Sequence, residues 1–110
     1  MSMSKPYRLF IDDERDTVCP NCWIVVRSSD HAIKVVASLG LPVEIAFDHD
    51  LGGDDTSVNF INWLTEGILD GNLILPENFK YSVHSQNPIG ANNIKHKMDA
   101  LINFCRGQHG

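Results

Sequence analysis

Basic residues are scarce: nine Lys and Arg stand against fourteen Asp and Glu among 110 residues, a net charge of −5. That balance excludes a protein whose main task is to coat a nucleic-acid backbone, because such proteins cluster Lys and Arg. It still admits a small phosphorylated ligand, provided a metal ion or local dipoles offset the carboxylates. No apolar run approaches the ~20 residues of a membrane span. The opening Met1-Ser2-Met3-Ser4-Lys5-Pro6 has no signal-peptide core, so a soluble, cytoplasmic chain with no membrane partner is expected. Cysteine is scarce too, and three, an odd number, make no disulfide framework. Cys19-Pro20-Asn21-Cys22 is a CxxC, which Cys105 and His109 could complete as a zinc site only from a terminus expected to fray. It does not open a helix as a redox motif would, so reduced cysteines are the expectation. Repeats, low-complexity tracts and linkers are lacking, and a single domain over 1–110 follows from the length.

What is present is an alternation of short β-branched and aromatic runs with helical stripes. Tyr7 to Ile11, Trp23 to Arg27, Val43 to Phe47 and Phe79 to Val83 read as strands. Ser28 and Ser29 offer an N-cap to a helix carrying Ala32, Val35, Val36 and Leu39, stopped by Gly40. Val58, Ile61, Trp63, Leu64 and Ile68 form a second stripe, ending between Gly67 and Gly71. Asn87-Pro88 is a cap-plus-N1 pair for a third helix along Ile94, Met98, Leu101, Ile102 and Cys105. Strands alternating with helices imply βαβ units. The stretch Glu14 to Cys22 is too short and polar for a crossover helix, so an extended arm or single turn is expected there. The fold class is therefore α/β: a flavodoxin-like sheet of about four mostly parallel strands in order 2-1-3-4, three helices on both faces, and a reduced first crossover.

The chemistry sits directly after the strands. Asp12-Asp13 follow the first, Asp48-His49-Asp50 the third, and His84-Ser85-Gln86-Asn87 the fourth. In an open parallel sheet these positions share the carboxyl edge, where ligands bind. Any one of them alone is readily a turn residue or helix cap, and His84 alone a core histidine. Their coincidence at three strand ends favours a site. Clustered carboxylates repel unless a cation lies between them, so Asp12, Asp13, Asp48 and Asp50 read as ligands for Mg²⁺ or Mn²⁺. On this reading Asp12→Asn relieves repulsion and leaves the metal-free protein at least as stable. The helix opened by Asn87-Pro88 presents free N–H groups suited to phosphate oxygens. Arg15, two residues past Asp13, can pair with a carboxylate or phosphate.

Paired Asp after the first strand, Asp after the third and Ser after the fourth resemble a receiver domain of two-component signalling. In that comparison Asp12 and Asp13 match the acidic pair, Asp48 the phosphoacceptor and Ser85 the phosphoryl-contacting hydroxyl. The fifth strand and its lysine are missing, and His49 and His84 are additional. The strings Leu9-Phe10-Ile11-Asp12-Asp13-Glu14-Arg15, Trp23-Ile24-Val25-Val26-Arg27, Phe47-Asp48-His49-Asp50-Leu51-Gly52 and Val83-His84-Ser85-Gln86-Asn87-Pro88-Ile89-Gly90 resemble more closely the cyclic-phosphate processing receiver domain family. The resemblance runs from Tyr7 to about Phe104. It implies a receiver-like fold acting on cyclic phosphates, in RNA-end processing or in nucleotide signalling and conflict systems.

Opening a cyclic phosphodiester needs an activated water, charge stabilisation at phosphorus and a protonated leaving alkoxide. Asp48, His49, His84 and Ser85 are the candidate catalytic residues, with His84 as base and His49 as acid. Arg15 and Asn87 are candidates for substrate binding. A phospho-aspartate at Asp48 is a second route with the same residues. The expected activity is that of a metal-assisted phosphoesterase (hydrolase) on a small cyclic nucleotide or an RNA cyclic-phosphate terminus, with no duplex nucleic acid as partner. The alternatives are a non-catalytic protein that sequesters a cyclic nucleotide, and a degenerate stand-alone receiver phosphorylated on Asp48.

Overall fold

The computed structural model describes residues 6–15, 17, 19 and 21–107. Four strands, β1 (Arg8–Ile11), β2 (Ile24–Val26), β3 (Glu44–Phe47) and β4 (Lys80–Val83), form one sheet. Their order is β2-β1-β3-β4 and every pairing is parallel. Three helices accompany them: α1 (Ser29–Leu39), α2 (Ser57–Leu69) and α3 (Pro88–Gly107). The sequence-based strands each lose a residue or two at their ends, as fraying would produce.

Local chemistry starts and stops the helices as expected. The Ser28 hydroxyl accepts from His31 N at 3.1 Å, and Gly40 ends α1 at a φ of 83°, a conformation that favours glycine. The Asn87 side chain accepts from Gly90 N at 3.0 Å and Pro88 is the first residue of α3. A further cap comes from a distance. Asp55, in the β3–α2 loop, accepts from Ser29 N at 2.8 Å and from the Ser29 hydroxyl at 2.5 Å. These bonds hold its carboxyl below the ordinary value although burial opposes them.

The helices do not cover both faces of the sheet, contrary to the sequence-based expectation. Leu9, Ile11, Val26, Ile45 and Phe47 form one buried face and share a single core with Ala32 and Val36 of α1, Phe60, Ile61 and Leu64 of α2, and Ile94, Met98 and Leu101 of α3. The opposite face carries Arg8, Glu44 and Lys80, with Arg8 Nε 3.3 Å and Lys80 Nζ 3.8 Å from Glu44 Oε1. Connectivity explains this. The crossovers β2–α1–β3 and β3–α2–β4 both step toward the same edge, so their common right-handedness places both helices on one face. The β1–β2 step runs the other way and alone would cover the second face. Its described residues form no helix, and Asp16, Val18 and Pro20 lie outside the described residues.

In that arm the structure corrects the cysteine expectation. Cys19 and Cys22 are joined by a disulfide, and Cys22 N donates to Cys19 O at 2.9 Å. A tight turn brings the two side chains of the CxxC together. Cys105 is a free thiol on α3, and His109, its proposed zinc co-ligand, lies outside the described residues. Among the described residues no helix is long and apolar enough to cross a membrane.

Candidate active site

Register builds the site. Ile11 pairs with Val26 and Phe47, and Phe47 pairs with Val83, so Asp12, Arg27, Asp48 and His84 form the next row past the strands. Their backbones stay in the ladder: Asp12 N donates to Val26 O, Asp48 N to Ile11 O and His84 N to Phe47 O, at 2.9–3.1 Å. Strand alternation puts this row on the face of Phe10, away from the helices. Asp12, Asp48 and His84 bring one ligand atom each within 4.8 Å of one another.

Asp12 is 1% exposed and fully engaged. Its Oδ1 accepts from Glu14 N at 2.9 Å and Arg15 N at 2.8 Å, and its Oδ2 lies 3.1 Å from His84 Nε2. Burial alone would raise this carboxyl. The two N–H groups and the His84 ring outweigh burial and hold it below the ordinary value. Asp48 goes the other way, raised first by burial and then by the negative charge of Asp12. Two neighbouring carboxylates thus hold their protons with different affinity.

The His84 ring is stacked on Phe10, with centroids 4.9 Å apart and planes 8° apart. Register places Ala46 between these strands, and its small side chain leaves room for the rings to meet. Phe10 is in turn met edge-on by Trp23 at 6.0 Å. Arg27 Nη1 donates to Asp12 O at 3.2 Å and Arg15 O at 2.7 Å, tying the loop after β1 to the end of β2.

In front of the row is a cavity of about 250 Å³. Asp12, Asp13 and Asp48 form its acidic floor, with Asp50 and Glu14 beside them. Arg15, Ser85, Gln86 and Asn87 complete the lining. The Ser85 oxygen accepts from Asn87 N at 3.0 Å, so its O–H is left to donate. The Asn87 carbonyl caps α3, so only its NH₂ is available to a ligand.

Of the sequence-predicted residues, Asp12, Asp13, Arg15, Asp48, Asp50, Ser85 and Asn87 line this cavity, and His84 is bonded to its floor. His49 is not in the lining. Its ring lies against Gly90, where a Cβ would come within 2.4 Å of His49 Cγ, and its Nδ1 is 3.0 Å from Asp50 Oδ1. Two His–Asp couples therefore adjoin the cavity through their aspartates, Asp12 buried and Asp50 exposed. The tight ligand-atom cluster differs from the four aspartates expected to hold metal: it contains Asp12 and Asp48 but takes His84 in place of Asp13 and Asp50. Phe10, Arg27 and Gln86 were not among the sequence-based candidates. Phe10 and Gln86 stand within two residues of Asp12 and Ser85, which is the signal that was available for them, whereas nothing local ties Arg27 to Asp12.

A four-stranded parallel sheet with an acidic row and a Ser-containing loop at its carboxyl edge defines a receiver-like domain. The family comparison agrees: the model of the cyclic-phosphate processing receiver domain matches residues 7–100, and the chain belongs to that family. No curated protein and no solved structure matched the chain.

Proposed function

We propose that this domain hydrolyses a cyclic phosphodiester, adding water at phosphorus and releasing one ring oxygen as a hydroxyl. The observation that carries the reading is the His84–Asp12 couple, 3.1 Å apart beside Asp48 at the floor of a polar cavity. Asp12 fixes the orientation of the His84 ring, which is then placed to take the proton of an attacking water. The Ser85 O–H and the Asn87 NH₂ donate to the non-bridging phosphoryl oxygens, and Arg15 neutralises their charge from the rim. The proton for the departing ring oxygen comes from the His49–Asp50 couple, which reaches the cavity through Asp50.

The donor set fits a divalent ion. Two carboxylates suit Mg²⁺ and Mn²⁺, and an imidazole third ligand favours Mn²⁺. Asp12, Asp48 and His84 would hold it, and the ion would supply charge stabilisation at the phosphoryl group. In that state Nε2, the His84 nitrogen facing Asp12, would ligate in place of its bond to Asp12, and Nδ1 is the ring nitrogen left to accept the water's proton.

The test is incubation with 2′,3′- and 3′,5′-cyclic nucleotides and cyclic-phosphate oligonucleotides, with and without Mg²⁺ or Mn²⁺, read by mass spectrometry. Gain of one water per cyclic phosphate is expected, and loss of that gain in His84→Ala. Tight binding with unchanged ligand under every metal condition would replace hydrolysis by sequestration. The whole ring-opened nucleotide retained on Asp48 through an acyl phosphate bond would instead establish the route with Asp48 as nucleophile.

A further inference from the structure

We infer that the site reads the cyclic phosphate and is indifferent to the nucleobase, an inference that rests on the cyclic-phosphate reading above. Size is the first argument. Pockets that bury most of a drug-sized ligand measure about 300–1,000 Å³. This cavity holds about 250 Å³, so a nucleoside cyclic phosphate is only partly enclosed. The part that enters is the charged ring, because the groups able to donate to it, Arg15, Ser85 and Asn87, belong to the lining.

Chemistry is the second argument. Base recognition draws on stacking worth about 1–3 kcal/mol per base, supplied by aromatic side chains or by an Arg guanidinium plane, and Arg15, the one Arg of the lining, is engaged by the phosphate on this reading. Every described residue lining the cavity carries a polar or charged side chain. The aromatic rings nearest the site are engaged within the protein. Phe10 lies against His84 on its face and meets Trp23 edge-on, while the Arg8 guanidinium is 5.9 Å from the Trp23 ring centroid. Tyr81 donates its hydroxyl to Asp99 at 2.6 Å. Gln86, at the cavity, is exposed to solvent.

The experiment compares the adenine, guanine, cytosine and uracil cyclic mononucleotides, within each ring size, with ribose 2′,3′-cyclic phosphate. Turnover is followed by phosphorus NMR, and binding to the Mn²⁺-loaded full chain by calorimetry. Values of kcat/KM within about threefold across the four bases are expected, with ribose 2′,3′-cyclic phosphate within about tenfold of the 2′,3′ nucleotides. A preference above about thirtyfold for one base overturns the inference while leaving hydrolysis standing, as does refusal of the base-free compound. If nothing is turned over, hydrolysis fails and calorimetry still decides base indifference: affinities equal within about threefold support it, and unequal affinities or no binding overturn it.

Discussion

The imidazole of His84 lies flat on the ring of Phe10 across the intervening strand β3, where Ala46 is the register partner of Phe10. One edge of that imidazole meets Asp12 and its face is supported by an aromatic plane. A ring held at both places keeps one orientation, and a proton-transfer group depends on orientation.

Removing the plane should therefore impair turnover more than binding. Phe10→Leu is expected to lower kcat about tenfold with KM within about twofold, and Phe10→Tyr to restore most of the rate. Ala46→Leu, which fills the space the rings share, should act like Phe10→Leu. Steady-state kinetics with circular dichroism as a folding control checks both, and unchanged kcat in the two variants would leave the stack without a catalytic part.

Asp12 and Asp48 should respond oppositely to neutralisation. The lowered Asp12 carboxyl adds stability that is present above the ordinary carboxylate pKa of about 3.9 and lost as pH falls through its depressed folded value. The raised Asp48 carboxyl opposes folding once ionised, so that cost is absent in acid and appears as pH rises through its folded value. At pH 7 Asp12→Asn should lose about 1–3 kcal/mol, since it weakens charge-assisted bonds to two backbone N–H groups and to His84. This reverses the expectation from clustered charge alone. Asp48→Asn should raise Tm at pH 7, the gain vanishing on acidification toward pH 3. Thermal melts across pH decide it, and equal responses from both residues would contradict the division.

A divalent ion that binds only the folded chain should raise Tm. At a hundred times its Kd the gain is about 2.7 kcal/mol, on the order of 10 °C for a domain of this size. Mn²⁺ should exceed Mg²⁺, because His84 offers nitrogen. Asp48→Asn should abolish the increment. Differential scanning fluorimetry with each metal measures it, and an undiminished response in that variant would place the ion elsewhere.

Gly90→Ala probes His49 without touching it. The new Cβ would fall within 2.4–2.7 Å of three His49 ring atoms, so the ring must leave its seat at the start of α3. Turnover should fall at least tenfold while affinity for the cyclic phosphate changes less than threefold. A variant with full turnover and a folded spectrum would remove His49 from the proton-transfer pair.

Much of this was legible one residue at a time. Asp12, Asp48 and His84 each directly follow a strand, and parallel pairing necessarily brings such positions to one edge. Asn87-Pro88 and Ser28 announced their helices through capping chemistry. The remainder depends on contacts that local patterning does not encode. The one-sided sheet follows from strand order combined with crossover handedness, whereas the alternation of strands with helices led to helices on both faces. Phe10 reads as an ordinary strand aromatic until register sets Ala46 beside it. The seating of His49 on Gly90 and the reach of Arg27 back to the arm are tertiary facts between segments far apart in sequence. Cys19 and Cys22 pair because the arm turns tightly between them, in a stretch whose shape composition did not specify.

The all-parallel sheet has a consequence for how the chain reaches its native state. β1 is synthesised first yet sits inside the sheet, and Arg8 must wait for Glu44 just as Glu44 must wait for Lys80. Neither pairing can nucleate from a hairpin, so each demands closure of a long loop before any ladder bond forms. Refolding should be slower than in helical bundles of similar length. During translation the segment Leu9-Phe10-Ile11 stays without its β3 neighbour until Ile45 and Phe47 have left the ribosome. The interval in which that apolar strand is uncovered is set by elongation speed, and a nascent chain paused between α1 and β3 is the species most exposed to chaperones and aggregation.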